Sequence, residues 1–190
     1  MSTLQATNLK NASSSTNNLV LNSDGTVTGA GKILQVLTTT ITGAQSGSNN
    51  SDSSENTIDL TGFSLEITPA TTSSRILLMA SISQSSTNWS FMVHAYRGST
   101  IIAKGDDLGG NRSEFTFCGG NSRDYNDATA TTTMHIVDSP STTSATTYKL
   151  KGCTRGSSST WHINRSARYD SYNSAWIHST VSTFTLMEIG

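Results

Sequence analysis

The chain has 190 residues, of which 34% are hydrophobic and 13% charged, with a formal net charge of −1. Average globular domains carry roughly 45–50% and 25%, and the difference is taken up by Ser and Thr, 62 residues together. The twelve Lys and Arg form no run, which excludes the basic patch that neutralises nucleic-acid phosphates. No stretch approaches the ~20 apolar residues that span a bilayer.

Low hydrophobicity joined to high charge marks disorder, but here both are low. Thr, Ile, Val, Phe, Tyr and Trp favour pleated, half-buried strands. The composition therefore indicates an all-β protein with long polar loops. Met1 to Lys10 lacks the charged start and apolar run of a secretory signal, so a soluble chain without an export signal of its own is expected.

Residues 1–31 read as a separate arm. Leu19, Val20 and Leu21 lead through Ser23-Asp24-Gly25 to Thr26-Val27-Thr28, a short hairpin signal around Asp-Gly. A lone hairpin is not stable in water, which points to a partner that holds the arm. Gly29-Ala30-Gly31 forms the joint.

From Lys32 onward strand follows strand. Ile33–Ile41 is β-branched, and residues 44–56 form a polar loop. Next come Thr57–Leu60 and Phe63–Ile67, the second with Phe63, Leu65 and Ile67 on one face. A turn at Pro69 and Ser73-Ser74 precedes Arg75–Ser83. Trp89–Arg97 and Thr100–Lys104 pair across Gly98-Ser99. Glu114–Cys118, Ala130–Val137, Thr147–Gly152, Trp161–Asn164 and Ile177–Ile189 complete the set. Short strands at such spacing, with no helical stripe, predict an antiparallel β-sandwich of jelly-roll type for residues 32–190.

Three strands are apolar on both faces. Ile76, Leu78 and Ala80 oppose Leu77 and Met79; Phe91, Val93 and Ala95 oppose Met92, His94 and Tyr96; Phe184 and Leu186 oppose Met187 and Ile189. One sandwich core covers one side of each strand. The other side needs neighbouring subunits, the preferred reading, or loops of the same chain folded over the outside.

No motif for chemistry emerges. His94, His135, His162 and His178 form no HxH or HExxH pair, and each is expected to be a strand residue satisfied locally. Gly43-Ala-Gln-Ser-Gly47 is not a nucleophile elbow. Asp124-Tyr125-Asn126-Asp127 starts like a calcium loop, but Thr129 and His135 stand where Gly and Glu are required. A looser surface ion site at these residues, or at Asp106 and Asp107, stays open; no catalytic, cofactor-binding or metal-ligating residue is assigned. Residues 161–178 gather Trp161, Tyr169, Tyr172 and Trp176 among Arg165, Arg168 and Asp170. Flat rings beside forked hydrogen-bonding groups suit a protein partner or a glycan, and equally a loop pinned to the sandwich by its own aromatics.

ILQVLTTT (33–40), LEITPATTSSRILLMASIS (65–83), YRGSTIIAKGDD (96–107), HIVDSPSTTSATTYKLKG (135–152) and STFTLMEIG (182–190) resemble small tail-fibre-like and virion structural proteins of tailed bacteriophages, especially marine and cyanobacterial ones. Residues 8–31 look like the module by which such proteins attach to the particle. The resemblance implies a β-sandwich, a homotrimer and a place on the virion, with assembly in the host cytoplasm. Such a reducing compartment disfavours a disulfide between Cys118 and Cys153, so two free thiols are expected.

These readings converge on a non-enzymatic virion component that needs no cofactor. Residues 1–31 anchor it to a capsid or tail protein, with Leu19, Val20, Leu21 and Val27 as the contact residues. The head, 32–190, contacts the host surface or its glycans through loops such as 105–128 and 161–178. It has no nucleic-acid partner and inserts into no membrane. The alternatives are a capsid decoration (cement) protein and a particle-borne polysaccharide-degrading enzyme.

Overall fold

The structure, a computed structural model, describes residues 33–49, 56–88, 90–110, 113–119, 128–155, 159–168 and 177–190, together with Ser23 and three short strands of the N-terminal segment. Those three, β1 (Asn8–Leu9), β2 (Leu19–Leu21) and β3 (Val27–Thr28), form a small antiparallel sheet in that order. Val20 pairs with Thr28 and Leu21 with Val27, on either side of Asp24-Gly25 in sequence. This is the hairpin that the turn residues indicate; β1, which pairs with β2, carries no strand signal in its Asn-rich surroundings.

The remaining strands are β4 (Ile33–Ile41), β5 (Gln45–Gly47), β6 (Ile58–Ile67), β7 (Arg75–Ser86), β8 (Phe91–Arg97), β9 (Thr100–Ile102), β10 (Phe117–Gly119), β11 (Ala130–Asp138), β12 (Thr146–Thr154), β13 (Trp161–Ile163) and β14 (Ser182–Ile189). All pair antiparallel, in two sheets. In the first, β4, β14 and β7 lie side by side and β11 takes the other edge of β7. The short β5 and β13 extend the lines of β4 and β14. In the second the order is β6-β12-β8, and β9 and β10 share the far edge of β8. Each sheet is thus four columns wide.

The sheets pack face to face as a sandwich. Strand alternation sends Ile76, Leu78, Ala80, Ile82, Phe184 and Leu186 from one sheet against Phe63, Ile67, Phe91, Val93, Tyr148 and Leu150 from the other. Phe63 meets Phe184 with ring centroids 6.4 Å apart, and Phe91 meets Trp161 at 5.7 Å. Leu60 and Phe63 both point into this core although three positions separate them, which strict alternation forbids. Gly62, at φ 84°, resolves the conflict. It carries a bulge opposite Lys149 to Lys151 that re-phases the strand, so the two short strands read from sequence are one.

Polar side chains seal both flanks. The amide of Gln45 behaves like a stray peptide group: its Nε2 donates to Thr61 O and its Oε1 accepts from Thr61 N, both at 2.9 Å. On the other flank Arg97 Nη1 donates to both Asp138 oxygens at 3.0 and 2.9 Å, and the Tyr148 hydroxyl donates to Asp138 Oδ2 at 2.6 Å. Burial, then that hydrogen bond, pushes the Tyr148 hydroxyl well above the ordinary phenol range.

Asn164 closes the seam where β4 bends into β5 and β13 gives way to β14. It sits at φ 61°, a left-handed conformation that Asn tolerates better than most residues. Its Nδ2 donates to Ile41 O at 2.7 Å and Gly43 O at 3.1 Å, and its Oδ1 accepts from Ser182 Oγ at 2.6 Å. Asn164 and Ser182 are each 1% exposed. Asn164→Ala leaves the buried Ile41 O and Ser182 Oγ without this partner, at a cost of about 2–3 kcal/mol. Thermal denaturation is expected to show Tm lower by roughly 5–10 °C.

Candidate functional site

β8 presents Met92, His94 and Tyr96 on the side away from the core. The sequence expectation that a neighbouring subunit covers this face is corrected here, because the chain covers it itself. Met92 is 5% and His94 0% exposed, under the segment that runs from β9 to β10. Thr116 fastens that segment in the gap between the two short strands. Its N–H donates to Val93 O (3.1 Å), its Oγ1 donates to Ile102 O (3.3 Å) and also accepts from Ala95 N (3.0 Å). Phe115 then stacks on the imidazole of His94, with centroids 4.5 Å apart and planes at 24°. Tyr96 meets the imidazole edge-on at 6.2 Å, and Lys151 Nζ lies 5.0 Å from the Tyr96 centroid.

His94 therefore differs from the expectation of a locally satisfied histidine. Neither ring nitrogen has a hydrogen-bond partner among the described residues. Burial, helped by the Lys104 charge and opposed by Glu114, pushes its pKa down to about 4 from 6.5, so the ring is neutral at pH 7. Lys104 and Glu114 form an ion pair at the rim.

Beside this covered patch lies a groove of about 800 Å³ lined by Met92, Leu108, Glu114, Phe115, Phe117 and Arg155, among others. Its lining is mostly apolar, with Asp106, Glu114 and Arg155 as its charged members. Cys118 and Cys153 flank Met92 in register on opposite edges of β8. That places their Cα atoms ~9.6 Å apart, beyond the ~7 Å limit for a disulfide, and both are free. Burial raises both thiols, Cys153 to about 12. No group of three or more His, Cys, Asp or Glu suited to a metal ion occurs among the described residues.

The aromatic-rich stretch is not brought together as a surface. Trp161 is a core residue, 2% exposed; its indole Nε1 donates to Asn49 Oδ1 at 2.6 Å, and it lies so close over Gly47 that a Cβ there would stand 2.4 Å from the ring. This corrects its assignment as a partner or glycan contact. Arg165 is half-buried, its Nη2 3.3 Å from Ser46 Oγ, and Arg168 is exposed. Tyr169, Asp170, Tyr172 and Trp176 lie outside the described residues, as do Asp124 to Asp127. Leu19, Val20, Leu21 and Val27 are in the N-terminal sheet. Sequence reasoning missed the groove, although the doubly apolar FMVHAY and the alternating EFTF were its visible signals. No family model and no curated protein matches this chain.

Two outcomes follow from this geometry. Because the folded pKa of His94 lies below the unfolded one, stability is unaffected above pH 6.5. It falls as the pH drops from 6.5 towards 4, by up to about 3 kcal/mol. Urea denaturation across that range checks it, and His94→Phe flattens the slope. Iodoacetamide under native conditions labels the exposed Cys118 slowly and spares the buried Cys153; both label in denaturant, as intact-mass spectrometry will count.

Proposed function

We propose that the chain is a non-enzymatic structural component of a tailed-phage virion: a homotrimer with a jelly-roll head, fixed to another particle protein through residues 1–31. The head meets the host surface. The observation that carries this reading is the pairing of the eight columns. Taken in chain order, the first pairs with the last (β4 with β14), the second with the seventh (β6 with β12), the third with the sixth (β7 with β11) and the fourth with the fifth (β8 with β9 and β10). A long antiparallel ribbon rolled up on itself pairs in this way, and that winding is characteristic of capsid and lectin domains.

Fold alone does not select a function; polarity of the head adds to the argument. The chain enters the sandwich at Ile33, beside Ile189. That is the end where Asp138, Arg97 and Tyr148 meet. Phe91, Arg155 and Trp161 lie at the far end, and the groove opens towards it. An arm at one end and an exposed, mostly apolar groove towards the other suit a module that is held at its base and makes contact at its tip. Weak contacts repeated over three subunits and several copies then multiply into firm attachment.

The enzymatic alternative requires paired carboxylates in a cleft. Asp106 and Glu114 line the groove, but Lys104 engages Glu114. Release of sugar from host polysaccharide by the pure protein would overturn the non-enzyme reading.

Immunogold electron microscopy of the virions, with antibody against residues 32–190, tests the assignment. Label at the tail or its fibres is the expected result. Label over the capsid shell replaces host contact with decoration, and absence of label from intact and partly disrupted particles overturns the virion role.

A further inference from the structure

The two outer faces of the sandwich differ in kind. That of the second sheet carries Asp59, Glu66, Lys149 and Lys151, with ion pairs from both lysines to Asp59, and the segment before β10 covers part of it. No described segment lies over that of the first sheet. Register aligns Val36, Met187, Leu77 and Val137 in one row across β4, β14, β7 and β11, and Ile33 pairs with Ile189 beyond it. Val36 is 50%, Val137 53% and Ile33 56% exposed. The rows on the other side are Thr38, Thr185, Met79 and His135, then Thr40, Thr183, Ser81 and Thr133. Arg75 and His135 are the only ionisable groups in these four rows. An apolar band without carboxylates is the composition of an interface centre rather than of a wetted sheet face.

We infer that this face is the threefold contact, covered by the same face of two further copies of this chain. The inference deepens the homotrimer reading proposed above and rests on it. A face whose one permanent charge is Arg75, at the end of β7, meets its own copies with little like-charge repulsion, whereas a charged partner finds almost nothing there to pair with. The dimensions also fit. Four columns at ~4.8 Å make a face ~19 Å wide, and three such faces closed around an axis leave ~5.5 Å from each sheet to the axis, close to half the ~10 Å spacing of packed sheets. The side chains of Leu77 and Met187, at mid-face, therefore fill the centre. At each corner the β4 edge of one copy meets the β11 edge of the next, which brings Val36 against Val137. The flat face offers roughly 450 Å² per subunit, about half of it to each neighbour, and the flanking turns supply the larger share of the ~800 Å² per partner buried in stable complexes.

Light scattering of the full chain, of Val36→Lys/Val137→Lys and of Ser64→Lys on the opposite face tests this. Expected are three chain masses for the wild type and for Ser64→Lys, and one for the double variant with an unchanged circular-dichroism spectrum. A double variant that stays trimeric overturns this face but leaves the homotrimer standing. A monomeric wild type overturns the homotrimer and the face together, and a wild type of two chain masses replaces the threefold arrangement with a twofold one. Should the double variant misfold, Val36→Cys/Val137→Cys in a Cys118→Ser background decides under mild oxidation. A three-chain band on a non-reducing gel supports the corner contact; its absence from a protein that scatters as a trimer overturns it.

Discussion

The head depends on one constraint: the first strand of the sandwich finds its partner only when the last eight residues arrive. β14 lies between β4 and β7, with Phe184 and Leu186 fully buried. Gln35 and Glu188, hydrogen-bonded at 2.7 Å, are 153 residues apart in sequence. Contacts of such separation make folding slow and leave an apolar terminal strand unpaired meanwhile. Glu188 sets the register of this late pairing. Burial alone would raise its carboxyl, but hydrogen bonds from Ser74, from the Gln35 amide and from Ala70 N–H outweigh that and hold it below the ordinary range. A slip of two residues keeps the apolar pattern but moves this charge to the place of Leu186, where no donor waits. The cost of an unpaired buried carboxylate, several kcal/mol, sets the register.

The same economy explains why the two sheets treat their outer faces differently. β8 is apolar on both sides, and its outer side is buried under Phe115 and Thr116, so the chain is a thicker sandwich there. β7 and β14 are also apolar on both sides, yet no described segment lies over Leu77 and Met187, which remain half-buried among strand neighbours. Identical sequence patterns thus have two structural causes. Only the loop after β9, with its Ala103 at φ 53° turning the chain back over the sheet, tells them apart.

Much of the fold was legible in the residues for physical reasons. β4 runs over the residues that its β-branched content marks, and β7, β8, β11, β12 and β14 follow apolar alternation, because burial on one face leaves little choice. What was not legible depends on long-range partners. Gln45-Ser46-Gly47 has no strand propensity, and forms β5 because β13 offers its edge and Gly47 leaves room for the Trp161 ring. Trp161 looked like part of an aromatic surface because polar neighbours in sequence say nothing about depth; Asn49, 112 residues away, provides the acceptor that lets its indole be buried. His94 was misread for the converse reason. Alternation placed it outside, and a segment some twenty residues later buried it without a hydrogen-bond partner among the described residues.

At the far end of the sandwich, hydrogen bonds join the described ends of three connections. Asn49 donates to Asn56 O and Gly152 O at 2.8 Å each, accepts from Trp161 and, through its carbonyl, from Thr154 N at 3.2 Å. Thr87 and Thr160 exchange two further hydrogen bonds at 3.0 and 2.9 Å. Connections after β5, β7 and β12 are thereby tied to one another and to the core, rather than hanging from strand ends.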